Sequence, residues 1–478
     1  MKHNHSPHRR HLLKSGLGLA ASGPAAFALN LASMGAAAAQ SSGNSDYKAL
    51  VCLFMHGGND QASTVVATNG DSWQNYQKVR GGTIALNAPG SSRHALRPIN
   101  PANLSGFNNN GLKLGLHPNL ARTQTLFQQK KLAIIANVGP LIEPTTPEQY
   151  RYGQTRVPNR LFSHNDQQST WQTFMPEGAT IGWGGRMVER LASTHNASAM
   201  FASAISPGDT PAAWLAGHRL NPYSLPVEGD IGIQLLGNLA DAGISESVRK
   251  LLVLDRDTNL LAQTHAQLYR RTLEAQTRMQ AALVPENDSR LLPVPAIPDS
   301  GGNRNALVAQ MRLVARMIAS RNNLGLKRQV FFLNIGGFDT HDDQLHMHNR
   351  LMIQLDQALD YFDRQMKSLG VENQVTLFTA SDFGRSMVSN GGGTDHGWGS
   401  HHFIYGGAVN GGNLYGRFPT FGVDADHDVE GRLVPQYSVE QYAAALGTWF
   451  GLSQSDLYDV LPNLMNFPRE NPLKFMKV

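Results

Sequence analysis

The chain has 478 residues, 41% of them hydrophobic and 16% charged, and a formal net charge of +5, which is material for a large buried core. Lys2, Arg9, Arg10 and Lys14 carry four of the five excess positive charges, so the remainder is nearly neutral; with no basic run and no nucleic-acid-binding motif, nucleic acid is excluded as the expected partner. The single cysteine, Cys52, excludes an internal disulfide and reads as a small buried hydrophobe within "ALVCLFMH".

The chain opens on a basic segment, "HRRHLLKSG", followed by an Ala-rich apolar stretch from Leu17 to Ala39 ending in "AAAAQ". Residues 1–39 are expected to be a twin-arginine signal peptide, removed after use by the twin-arginine export machinery and leaving no stable membrane anchor. The expected location is therefore periplasmic or secreted.

Apolar runs of strand length then recur at 49–56, 132–138, 199–205, 329–336, 374–380 and 402–408. They are continuous rather than alternating, as strands buried on both faces are. Between them lie helical patterns. The clearest spans 345–369, where Met352, Leu355, Leu359, Phe362, Met366 and Leu369 repeat at helical spacing and Gly370 stops the run. This alternation predicts an α/β fold, a three-layer sandwich with a mostly parallel central sheet, over a single domain at 46–470 with peripheral insertions. Residues 69–116, rich in Gly, Asn and Pro, read as an irregular excursion; 240–300 reads as a helical insertion or a peripheral helix and linker.

Ligands of parallel sheets bind beyond the carboxyl ends of the strands. Three runs end in polar clusters there: "HGGND" to Asp60, "GGFDTHDDQLHMH" with Asp339 and His341, and "SDFGRS" with Asp382 and Arg385, continuing into "TDHGWGSHH" with Asp395 and His396. Of 18 histidines, six fall between His341 and His402. Carboxylates and imidazoles gathered at one sheet edge, with glycines permitting close approach, suit zinc or a similar divalent ion. Plainer readings compete at several positions. Asp339 and His341 can cap the long helix, Asp382 can bond a turn, and Asp60 follows two glycines as turn residues do. Asp342 and His346, four apart, offer a rival ligand pair. One of His401 and His402 is expected in the core and the other in solvent. "NRLFSHNDQQSTWQ" supplies Ser163 and His164 as catalytic candidates, though the same residues make good helix caps. No G-x-S-x-G elbow, Walker A loop or G-x-G-x-x-G after a strand is present.

The stretches "LFMHGGND", "LGLHPNLARTQTLFQQKKLAIIANVG", "LFSHNDQQSTWQ" with "GWGGRM", "GGFDTHDDQ", "TASDFGRS" and "GTDHGWGSHHFIYGG" resemble the DUF1501 family of twin-arginine-exported proteins over nearly all of the chain after its N-terminal segment. That family is in turn similar to a distant branch of the alkaline phosphatase and sulfatase superfamily, hydrolases of phosphate or sulfate esters with one or two metals. The resemblance implies an alkaline phosphatase-like fold, a divalent metal such as zinc, calcium or manganese, and an anionic ester substrate. It implies Asp60 as a first metal ligand, Ser163 at the nucleophile position, and Asp339, His341, Asp382 and His396 as further ligands; Arg385 and Arg160 would hold the anion. The sequence departs from the superfamily pattern in the D-x-H spacing of Asp339 and His341, and in Phe383, which stands where a strand-end histidine would be. The expectation is a metal-dependent hydrolase of phosphate or sulfate esters; its alternative is a non-catalytic binding or structural protein on the same scaffold.

Overall fold

The apolar runs form one nine-stranded sheet in a computed structural model that describes residues 46–90, 92–196, 202–208, 212–227, 260–297, 302–422 and 427–477. Its strands are β1 (Lys48–Met55), β2 (Leu132–Gly139), β3 (Ala204–Pro207), β4 (Tyr223–Leu225), β5 (Arg328–Ile335), β6 (Val375–Ser381), β7 (Ser400–Tyr405), β8 (Leu414–Tyr415) and β9 (Tyr437–Ser438). Their order is β8-β2-β7-β6-β1-β5-β3-β4, with β9 also paired to β2. Every pairing is parallel except those of β7, which runs antiparallel to both β2 and β6.

The described helices of ten or more residues are α1 (Gly70–Arg80), α2 (His164–Thr173), α3 (Trp183–His195), α4 (Leu260–Ala282), α5 (Ala306–Ala319), α6 (Gln344–Ser368) and α7 (Val439–Phe450). Helices other than α1, which packs in a separate small cluster, cover the sheet on both sides, and β1 shows why its run is unbroken. Ala49, Val51, Leu53 and Met55 join a core with Met311, Val314 and Ile318 of α5 and Met352, Leu355, Leu359 and Phe362 of α6. Leu50, Cys52 and Phe54 join the opposite core with Met187 and Val188 of α3 and Tyr442 and Leu446 of α7. Each of the larger aliphatic and aromatic side chains contributes about 1.5–3 kcal/mol of burial, and successive residues of a strand point to opposite faces. The result is the three-layer α/β sandwich. Gly370, at φ +65°, closes α6 as expected.

Two details differ from the sequence reading, and a third fills in what it left open. The stretch 69–116 holds the helix α1 and two strands of a small antiparallel sheet, Arg97–Ile99 and Leu114–Leu116, completed by Val65–Ala67. The run placed at 402–408 is a strand from Ser400, so His401 and His402 lie within it. In the insertion, residues 290–292 lie against the C-terminal half of α6, bonded to Tyr361 and Gln365, away from the N-terminal end of that helix. Residues 1–39 and 240–259 lie outside the described residues. Among the described residues, no helix is long and apolar enough to cross a membrane.

What this fold delivers is a shared edge. The central strands β6, β1 and β5 are parallel neighbours, and Met55 pairs with both Ile335 and Ser381, so all three end level. The residues just beyond them carry Asp382, Asp60 and Asp339.

Candidate metal centre

The turn after β1 passes directly beneath the turn after β5. Gly57 has φ +112°, and a Cβ there would meet the Asp339 backbone nitrogen at 2.3 Å. Gly58 has φ +88°, and a Cβ there would strike the Phe383 ring at 2.6 Å. Only glycine satisfies both the backbone angle and the contact. The glycines of "HGGND" thus let three strand ends converge.

Asp339 stands at the centre of the convergence, with its side chain 44% exposed. Its Oδ1 lies 3.2 Å from His396 Nε2 and 3.1 Å from His341 Nε2, and its Oδ2 lies 3.4 Å from His164 Nε2. His164, Asp339 and His396 offer ligand atoms all within 4.8 Å of one another. His341 closes the group from the solvent side, with its Nε2 2.9 Å from that of His396. Neither Asp339 nor His341 caps α6: that helix begins at Gln344, with Asp343 as its N-cap.

The protonation pattern follows from the partners on the far side of each ring. His396 Nδ1 lies 2.7 Å from the Phe162 carbonyl, which can only accept, so Nδ1 carries the proton. His164 Nδ1 lies 2.7 Å from the Asp382 carboxylate and donates to it. In the neutral rings, both Nε2 atoms present lone pairs to Asp339. The buried His164 Nε2 has no hydrogen-bond partner. Acceptors facing a carboxylate repel unless a proton or a metal cation lies among them, and His341 Nε2, 2.9 Å from His396 Nε2, can supply one such proton. Ligand atoms about 2.1 Å from one cation sit roughly 3–3.4 Å apart, and the three imidazole nitrogens lie 3.1–3.4 Å from the Asp339 oxygens.

Titration follows the same geometry. The Asp382 hydrogen bond raises the His164 pKa against the opposing effect of burial. Burial lowers that of His396. For Asp339 burial works upward, but the Arg385 hydrogen bond and charge outweigh it and hold the carboxyl below its ordinary value. The Asn390 hydrogen bond lowers Asp395, whose Oδ1 lies 3.4 Å from His341 Nδ1.

The surrounding residues fix the ligands. Asp382 is fully buried and accepts from Gly57 N, Gln168 Nε2 and His164 Nδ1; it orients a ring rather than facing the cluster, as carboxylates behind metal-bound histidines do. The rings of His164 and His396 pack 4.9 and 4.6 Å from Phe383, which forms an apolar floor where the resemblance implies a histidine. Arg160 and Phe162 adopt positive φ of 48° and 74°, a costly backbone for bulky residues. Gln167 ties down the carbonyls of Asn159 and Arg160, and Arg432 lies over the Phe162 ring while donating to the His396 carbonyl.

Several expected roles are corrected. Asp60 is no ligand: it is fully buried, and Arg80 takes both its oxygens at 2.5 and 3.0 Å. Ser163 directs its hydroxyl to Asp166 at 2.8 Å, not to the cluster. Arg385 is buried, its guanidinium spent on Gly57 O, Thr394 and Asp339, so it positions Asp339 and has no free edge for an anion. Asp342 accepts from Asp343 N and His346 is exposed; neither joins the cluster. His401 and His402 are both buried, and burial lowers each to a pKa of about 3. Arg80, Gln168 and Gln344 carry no motif signal.

Residues 47–432 match the family described as "Protein of unknown function (DUF1501)", and the chain belongs to that family. No curated protein matches it. Among solved structures, it is similar to the PsFucS1 sulfatase from Pseudoalteromonas sp., at 10% identity and a TM-score of 0.36, covering 94% of this chain and 76% of that one. It is also similar to the alkaline phosphatase from the Antarctic bacterium TAB5, at 10% identity and a TM-score of 0.29, covering 87% and 99%. A third is a structure titled Ps i-CgsB in complex with k-i-k-neocarrahexaose, at 7% identity and a TM-score of 0.32, covering 89% and 77%. At that distance the chemistry rests on this chain's own side chains.

Proposed function

We propose that this chain is an exported, divalent-metal-dependent hydrolase of phosphate or sulfate esters. The observation that carries the reading is the convergence on Asp339 of His164 and His396, whose outward nitrogens are committed to protein acceptors while the inward, buried His164 Nε2 makes no hydrogen bond and faces Asp339 Oδ2 at 3.4 Å. His164, Asp339 and His396 would hold the cation, with His341 as a fourth donor. Three imidazoles and one carboxylate suit zinc or manganese better than calcium, which prefers oxygen. When bound, the cation supplies Lewis-acid neutralisation of the ester's negative charge.

The chain's own residues have distinct tasks. Asp382 and the Phe162 carbonyl hold the two rings in the tautomer that leaves Nε2 free. Arg385 fixes Asp339. Arg160 has a side chain 74% exposed and only a loose 3.8 Å contact with Asp166; standing three residues before Ser163, it is the candidate to receive the substrate anion. Export rests on the N-terminal segment alone, and fractionation of cells expressing the intact gene, with Arg9 and Arg10 changed to Lys as the comparison, tests it.

A second reading, a non-catalytic binding protein with the same centre, is favoured by the commitment of the Ser163 hydroxyl to Asp166. A panel of aryl phosphate and aryl sulfate esters separates the two. The hydrolase reading expects turnover that a chelator abolishes, that zinc or manganese restores, and that His396→Ala lacks. Bound metal without turnover of any ester would establish the second reading instead.

A further inference from the structure

Three neighbouring strand ends deliver three carboxylates, enough on composition for two cations. We infer that the centre takes one divalent cation, because Arg80 serves as the permanent cation for the third carboxylate, Asp60. The inference rests on the proposed metal centre and specifies its stoichiometry.

The geometry is saturated on both sides of the pair. Asp60 Oδ1 accepts from Arg80 Nη2 at 3.0 Å and from Ala62 N at 3.2 Å; Oδ2 accepts from Arg80 Nη1 and Gln344 Nε2, both at 2.5 Å. A carboxylate offers about four acceptor positions, and here all four are used. Arg80 has five N–H donors and spends the remaining three on Met387 O at 2.8 Å, Ser63 Oγ at 3.0 Å and Ser386 O at 2.7 Å. Both side chains are fully buried, and the guanidinium is packed between Tyr76 and Phe421. A cation entering at Asp60 would have to expel a fixed charge that has no water to move into, so the position is closed to exchangeable metal.

The pair also reaches the cation site through the protein. Gln344, which donates to Asp60, accepts from Thr394 Oγ1 at 2.6 Å; Thr394 receives Arg385, and Arg385 Nη1 reaches Asp339 Oδ1 at 2.8 Å. Arg80 additionally holds the carbonyls of Ser386 and Met387, the two residues after Arg385. This chain of bonds joins the pair to Arg385, but Arg385 is itself anchored on Gly57 O and the Thr394 carbonyl, contacts that involve neither Asp60 nor Arg80.

The test is elemental analysis of the purified wild-type protein after equilibration with zinc or manganese and removal of excess metal, paired with calorimetric titration of the stripped protein. One equivalent in the wild type, retained in Asp60→Asn and lost in Asp339→Asn, is the expected result. Two equivalents in the wild type overturn the inference while leaving the metal centre standing, as does loss of metal from a folded Asp60→Asn with cooperative unfolding and native circular dichroism. Zero equivalents overturn the metal centre itself, and the inference falls with it.

Discussion

Asp60 and Asp339 leave adjacent parallel strands at the same edge of the same sheet and meet opposite fates. Asp60 is sealed against an internal guanidinium, with every acceptor position filled. Asp339 is half exposed, held by Arg385 on one side and faced by imidazole nitrogens on the other. The strand edge supplies the place, but the available partner decides the role. A carboxylate whose acceptor positions are all filled by fixed donors becomes structure; one that Arg385 holds on a single side, with imidazole nitrogens on the other, is left as a candidate site for a cation from outside.

The strongest way to break this comparison is to exchange the roles. Arg80→Ala leaves a buried carboxylate without its counter-charge, which costs about 3–5 kcal/mol; Asp339→Asn removes the counter-charge of the buried Arg385 but keeps an oxygen to accept from it at a half-exposed position, and should cost less, both measured by chemical denaturation of the metal-free protein. Equal losses would erase the distinction. Next in size is the response to metal. Free zinc or manganese at a hundred times its dissociation constant should stabilise the wild type by about 2.7 kcal/mol, visible as a raised unfolding temperature, and His396→Ala should lose that gain while Asp60→Asn keeps it.

The pH response sharpens the contrast for groups whose burial outweighs the opposite charge nearest them, Asp60 for His348 and Arg186 for Glu440. Burial holds His348 at a pKa of about 4, below the ordinary 6.5. The folded protein refuses a proton that the unfolded chain accepts, so stability is full above pH 6.5 and falls as the pH drops toward 4. Glu440 behaves oppositely: burial raises it from 4.5 to about 7. Its contribution is full below pH 4.5 and is lost as the pH rises through 7, a loss that Glu440→Gln should remove in urea unfolding at pH 5 and pH 8. The smallest effect belongs to Ser163. With its hydroxyl turned to Asp166, Ser163→Ala should cost about 1 kcal/mol or less and leave ester turnover intact; loss of turnover with metal binding unchanged would make Ser163 the nucleophile after all.

The sheet was legible because one cause, burial on both faces, writes itself as unbroken apolar runs such as "ALVCLFMH" and "QVFFLNI". The gathering of Asp339, His341 and His396 was legible because polar chemistry and glycine-rich turns coincide just past those runs. The role of Asp60 was not, because it depends on Arg80, twenty residues on, at the end of a helix whose polar sequence, "GDSWQNYQKVR", gives little sign of a buried arginine. The commitment of Ser163 to Asp166 and of Arg385 to Thr394 is likewise decided by side-chain direction. His164 was read as a catalytic candidate; its place among the donors depends on Asp382, more than two hundred residues away in sequence.

The most direct test is a crystal of the protein grown with zinc or manganese and measured on both sides of the metal's absorption edge. The account predicts one anomalous peak, bounded by His164 Nε2, Asp339 and His396 Nε2, with Arg80 still paired to Asp60. A peak at Asp60, or crystals in which His164 and His396 contact Asp339 with no metal among them at saturating concentration, would contradict it.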